Sequence, residues 1–97
     1  MTISDSPPDS LSHLQTWVGQ RYSTVDQARG PEKTFLFFVE EVGELATALS
    51  RRNAENIEEE IGDVLMWLVS LANLTGTDLR DCVAAYLRRN SGTKPKV

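Results

Sequence analysis

Apolar residues in this chain recur at steps of three and four, and no segment shows the strict alternation of a half-buried strand. That spacing gathers them on one side of an α-helix and leaves nothing from which to build a sheet. Leu11, Leu14, Val18, Tyr22 and Val25 form a first stripe, and Phe35, Phe38, Val42, Leu45 and Leu49 a second. Beyond Asp63 a third segment is apolar on most faces and is expected to be the most buried. Leu79, Cys82, Val83, Tyr86 and Leu87 mark a fourth. The expected fold class is all-α, a four-helix antiparallel bundle.

Breakers and caps set the expected boundaries. Asp9 or Ser10 can cap the first helix, which runs to about Val25. Gly30-Pro31 is a strong boundary, since proline suits a first helical turn, and the second helix runs from Pro31 to about Ser50. The polar stretch Arg51 to Asn56 reads as a connection whose basic start suits a helix C-terminus. A third helix is expected from Ile57 to Leu74, with Glu58, Glu59 and Glu60 in its first turn and Gly76 ending it. Thr77 or Asp78 caps a fourth that closes near Asn90. Residues 1–8 and 91–97 read as flexible tails around one domain, 9–90.

Ninety-seven residues make one domain, with a smaller buried fraction than a larger chain achieves. Completion of the core by homo-oligomerisation is therefore expected. A net charge of −4 lacks the basic footprint of a protein that binds nucleic acid polymers. Cys82 is the only cysteine, which excludes an intramolecular disulfide and a cysteine zinc cluster within one chain. The first ten residues do not have the pattern of a secretion signal. Val64 to Leu74 is too short to span a bilayer and is interrupted by Ser70 and Asn73, so no membrane association is expected. The default location is cytoplasmic.

Chemistry concentrates in two acidic motifs. Helix two carries Glu40-Glu41-Val42-Gly43-Glu44 and helix three carries Glu59-Glu60-Ile61-Gly62-Asp63. Glu41 with Glu44, and Glu60 with Asp63, lie three positions apart and so share a helix face. Antiparallel packing of the two helices lets the pairs oppose one another. Like charges ~4 Å apart repel by roughly 1 kcal/mol in water and about 4 near a protein surface. A divalent cation removes that cost, and all-oxygen ligands suit Mg²⁺ or Mn²⁺. Either motif alone reads as a solvated helix face. The two together, with a glycine inside each and Asp63 leading into an apolar run where burial is expected, favour metal binding.

These residues resemble the paired motif of the MazG-like, all-alpha nucleotide pyrophosphohydrolases: Glu-Glu-x-x-Glu on one helix, Glu-x-x-Asp on the next. The resemblance extends from about Leu14 to Asn90. It implies Mg²⁺-dependent hydrolysis of a nucleoside triphosphate to its monophosphate and pyrophosphate, with Glu41, Glu44, Glu60 and Asp63 as ligands. One of them, Glu44 for instance, would orient the water. It also implies a homodimer or dimer of dimers with the site near the subunit interface, and Asn90 as a substrate contact. Many relatives carry a lysine four residues before that asparagine and an arginine-rich segment after it. Tyr86 and Ser91-Gly92-Thr93-Lys94-Pro95 stand there instead, leaving Lys33, Arg88, Arg89 or Lys94 to meet phosphates. Phosphoribosyl-ATP pyrophosphatase and a non-catalytic helical oligomer are the alternative readings.

Trp17, Trp67, Phe35 and Phe38 are expected in the core, and Cys82 as a packing residue. Phe37 lies on the carboxylate side of helix two, suited either to an interface or to covering a base. His13 and the Arg51-Arg52 pair read as surface.

Overall fold

The computed structural model describes residues 7–91, so residues 1–6 and 92–97 of the two expected tails lie outside the described residues. Its four helices are α1 (Leu11–Arg29), α2 (Pro31–Arg51), α3 (Ala54–Leu74) and α4 (Leu79–Asn90), and no strand occurs among the described residues.

Each boundary has a chemical cause. The Ser10 hydroxyl accepts from the His13 N–H at 3.1 Å and starts α1. The helix continues past Val25 to Gly30, whose N–H donates to the Asp26 carbonyl at 2.9 Å. Gly30 has φ 86°, a conformation that a side chain would strain, and Pro31 follows at the start of α2. The two long helices thus meet with a single residue between them.

The α2–α3 turn is shorter than its composition suggests. Arg52 takes a left-handed conformation at φ 52° and closes α2. Asn53 then caps α3, its side chain accepting from the Asn56 N–H at 3.2 Å. Ala54, Glu55 and Asn56, read as connection, form the first turn because a capped turn needs no apolar face. The Glu58 to Glu60 run consequently occupies the second turn, with Glu55 as the first-turn acid. At the far end Thr75 caps α3, Gly76 turns the chain at φ 67°, and Asp78 caps α4 by accepting from the Arg80 N–H at 2.8 Å.

A turn of two residues forces α2 and α3 into an antiparallel hairpin, which forms the most extensive packing in the chain. Helix α1 lies mainly on α3, and α4 packs on α1. A polar clasp seats α4. Gln15 Nε2 donates to Asn73 Oδ1 (3.0 Å) and to the Thr77 carbonyl (2.9 Å), while its Oε1 accepts from the Leu79 N–H (2.7 Å). Asn73 Nδ2 donates back to the Gln15 carbonyl at 3.1 Å.

The core of the single chain is thin. Val18, Ala48, Val69 and Ala72 are the buried apolar residues among those described. Helix α3 contributes Val69, Ser70 and Ala72, in keeping with its expected burial. Helix α2 departs from its expected stripe. It buries Thr34 and Ala48 and half-buries Phe38, Glu41 and Leu45, while Phe35 (49 %), Val42 (41 %) and Leu49 (54 %) are exposed. The periodicity located the helix but not the side that meets its partner. The in-chain seam runs along Thr34, Glu41 and Ala48 at seven-residue steps, and those residues are small or polar. Cys82 is exposed and α4 buries no residue fully, so its expected packing role is also corrected.

Candidate metal centre

The α2–α3 seam brings the two acidic motifs together. Glu41 lies midway along α2, and Glu60 and Asp63 lie in the first half of α3. One carboxylate oxygen from each of the three falls within 4.8 Å of the others. Glu41 and Glu60 are half-buried, and one oxygen of each is buried without a hydrogen-bond partner. A buried acceptor left unsatisfied is costly, more so when charged.

The electrostatics show the strain of this convergence. Burial pushes the Glu41 carboxyl up to about 7, assisted by contacts with Glu44 and Glu60 and by the charges of Glu44 and Asp63. Burial also raises Glu60, with the Glu44 and Asp63 charges adding to it, whereas its contact with Glu41 lowers it. Both acids are thus pushed toward their protonated forms, Glu41 the more strongly. Glu44, although exposed and outside the three-residue cluster, acts on both. Its placement one turn from Glu41 makes it the fourth acid of the group.

The donor set fits a hard divalent cation. Ligands of one octahedral Mg²⁺ at ~2.1 Å stand about 3.0 Å apart when adjacent and about 4.2 Å when opposite, so the three oxygens would draw closer together to share one ion. The orphaned oxygens would gain a partner, and the raised carboxyl of Glu41 would give up its proton to the cation.

Several expectations need adjusting. Asp63 was expected to be buried but is partly exposed, because the apolar residues after it are themselves incompletely covered. A Cβ added at Gly43 or Gly62 would meet nothing within 4 Å, so neither glycine serves close packing within the chain. Lys33 is exposed in the first turn of α2, about 12 Å along the axis from Glu41. Arg88 and Asn90 lie on α4, where the Asn90 side chain donates to the Tyr86 carbonyl at 2.8 Å.

Beside the cluster, α1 and α3 enclose a cleft of about 430 Å³. Trp17, Val18, Tyr22, Met66 and Trp67 form much of its wall, and Asp63 is shared with the metal centre. Phe37 stacks on Trp67 of its own chain at 5.1 Å between ring centres, a contact that neither expected use, interface or base cover, included. Arg29 lies over the Trp67 ring at 4.7 Å, donates to Thr34 Oγ1 at 2.9 Å, and pairs with Asp26. Asp26 is 4 % exposed, and its second oxygen, Oδ2, has no partner. Sequence reasoning missed Asp26 and Arg29, because an aspartate three residues before an arginine near a helix end looks like a surface ion pair.

Acidic side chains meeting between antiparallel helices, with no histidine or cysteine among them, make an all-helical chain with a carboxylate cluster that could hold a hard divalent cation. Residues 29–97 match the MazG nucleotide pyrophosphohydrolase domain, and the chain belongs to that family. The match takes in α2, α3 and α4 and starts at the last residue of α1. Divalent-metal dependence is typical of the family and accords with the acidic cluster. No curated protein matches the chain.

Proposed function

We propose that the protein is a Mg²⁺-dependent nucleoside triphosphate pyrophosphohydrolase, with Mn²⁺ able to substitute, acting in the control or cleansing of nucleotide pools. Water attacks the α-phosphorus of an NTP or dNTP, the α–β anhydride bond breaks, and a monophosphate and pyrophosphate leave. The observation that carries this reading is the pair of buried, unpartnered oxygens on Glu41 and Glu60 beside Asp63. Glu41, Glu60 and Asp63 hold the cation, which supplies charge neutralisation and Lewis acidity when bound. Glu44 completes the set and is the acid most available to orient water, being exposed yet close enough to act on Glu41. Lys33, Arg88 and Asn90 are assigned to the polyphosphate, the latter two reaching it from a second copy of the chain.

A second copy also accounts for the thin core. Phe35, Val39, Val42 and Leu49 of α2 and Ile61, Leu65 and Leu68 of α3 are exposed. An apolar surface of this extent on a small domain marks an interaction face. We assign it to a homodimer, or a dimer of dimers. No helix among the described residues is long and apolar enough to cross a membrane. A nucleotide-pool role places the protein in the cytoplasm.

The test is pyrophosphate release from a panel of standard and modified nucleoside triphosphates, with Mg²⁺ and with chelator. Metal-dependent release from one or a few members is expected. Silence toward all of them from folded, metal-binding protein would contradict the proposal. Phosphoribosyl-ATP belongs in the panel, since turnover of it alone would move the protein to the related pyrophosphatase activity. Light scattering should give at least a dimer mass, and a monomer at micromolar concentration would remove the shared site.

A further inference from the structure

Asp26 stands out among the groups that the metal centre does not use. It is a carboxylate with 4 % exposure, and it lines the aromatic-walled cleft beside the acidic cluster. Oδ1 is engaged by Arg29, while Oδ2 is buried and unpartnered. Arg29 is in turn fixed by Thr34 and by the face of Trp67, so the carboxylate is held rather than free to turn toward solvent. Asp26 also borders a smaller cavity of about 280 Å³ lined by Ser23, Gln27, Asn73 and Leu74. Only the larger cleft has aromatic walls and reaches Asp63.

We infer that this cleft receives an amino-substituted nucleobase, whose exocyclic N–H donates to Asp26 Oδ2 while Trp17 and Tyr22 contact the ring. The inference rests on the hydrolase reading, in that the polyphosphate then extends from the cleft toward the carboxylates that share Asp63. A volume near 430 Å³ suits a base with its sugar. The aromatic wall supplies a sequence-tolerant contact, and the lone acceptor supplies discrimination. An amine brings an N–H with no carbonyl on the same carbon. The ring N–H of uracil or thymine lies between two carbonyl oxygens, which would be carried toward the carboxylate and repelled. Cytosine, adenine and guanine therefore belong to the accepted class, and uracil and thymine do not. Reaching Oδ2 takes a side-chain rearrangement of the wall, where Tyr22 and Met66 are exposed side chains. Five of the lining residues, from Trp17 to Asp26, lie on α1, ahead of the matched residues 29–97.

Binding of 5′-monophosphates to the full chain tests this without requiring turnover, read by calorimetry and by the fluorescence of Trp17 and Trp67. Cytidine monophosphate should bind at least tenfold more tightly than uridine monophosphate. The pyrimidin-2-one analogue, which lacks the amine, should lose a similar factor. Asp26→Asn leaves an amide oxygen for Arg29 and turns an N–H₂ into the cleft, so it should erase or reverse the cytidine preference. Equal binding of the three ligands to the wild-type chain, or no binding at all, overturns the inference whether or not the variant folds. An unchanged ratio in a folded Asp26→Asn variant overturns it as well. Cytidine selectivity in a chain that releases no pyrophosphate would sustain the base site and sink the hydrolase reading. Pyrophosphate release without base selectivity would do the reverse.

Discussion

Glu41 of α2 and Glu60 of α3 meet across the helical hairpin, each with a buried carboxylate oxygen that no hydrogen bond satisfies. Apolar or small residues at those positions would strengthen the seam, so the acids weaken the metal-free fold where it should be strongest. The same arrangement is ready for a divalent cation, and the first prediction follows from that opposition.

Glu41 holds its proton up to about pH 7 in the folded chain, against 4.5 as its reference value. Between these values the folded state binds more protons than the unfolded state, so stability falls as pH rises through the window. The metal-free protein should therefore melt at a higher temperature at pH 5 than at pH 8. Glu41→Gln should raise the pH 8 midpoint and flatten this dependence. Thermal melts in chelator measure it, and a midpoint that climbs from pH 5 to pH 8 would contradict the assignment.

Glu44→Gln separates holding the cation from using it. Glu44 lies outside the three-residue cluster but adds its charge to both buried acids. The variant should stabilise the metal-free chain slightly while lowering kcat by about 10²-fold or more, the scale of a lost general base. Single-turnover rates at saturating Mg²⁺ provide the check. A less stable variant with full activity would reject this role.

Gly43 and Gly62 sit within helices, where each costs roughly 0.5–1 kcal/mol relative to alanine. Open space beside both means alanine should be accommodated within the chain. Gly43→Ala and Gly62→Ala should each raise the stability of the single chain by about that amount in urea titrations at low protein concentration. If the space is reserved for a second copy, the same variants should loosen the dimer in light scattering.

The Asp26–Arg29 pair is expected to act as a buried unit. Arg29→Ala should cost about 3 kcal/mol or more, because it strands a carboxylate that is 4 % exposed. Adding Asp26→Ala to that variant should recover part of the loss. A cost under about 1 kcal/mol for the single change, measured by denaturant unfolding, would show that the pair behaves as a surface one.

How much of this was legible in the sequence differs by level. The four helices were readable from three- and four-residue spacing, and Ser10, Gly30-Pro31 and Asp78 marked three of their boundaries. The α3 start was not, because Asn53 recruits a polar turn that carries no apolar signal. Convergence of Glu41, Glu60 and Asp63 followed from matched spacing on helices that must pair. Sequence periodicity could not separate the face of α2 that meets α3 from the face left open, since both recur at helical steps. Thr34 and Ala48 gave no sign that they, rather than Phe35 and Leu49, would be covered. The buried role of Asp26 depends on where α1 crosses α3, a relation that local spacing does not encode.

The most direct test of the carboxylate centre is titration of Mn²⁺ into wild-type protein and into Glu60→Gln at pH 8, followed by electron paramagnetic resonance and repeated with competing Mg²⁺. One saturable site per chain is expected, displaced by Mg²⁺ and weakened at least tenfold by the substitution, with the variant's metal-free melting midpoint no lower than wild type. Equal Mn²⁺ binding by the two proteins, or none by either, would contradict the proposal that the Glu41–Glu60 seam holds a metal.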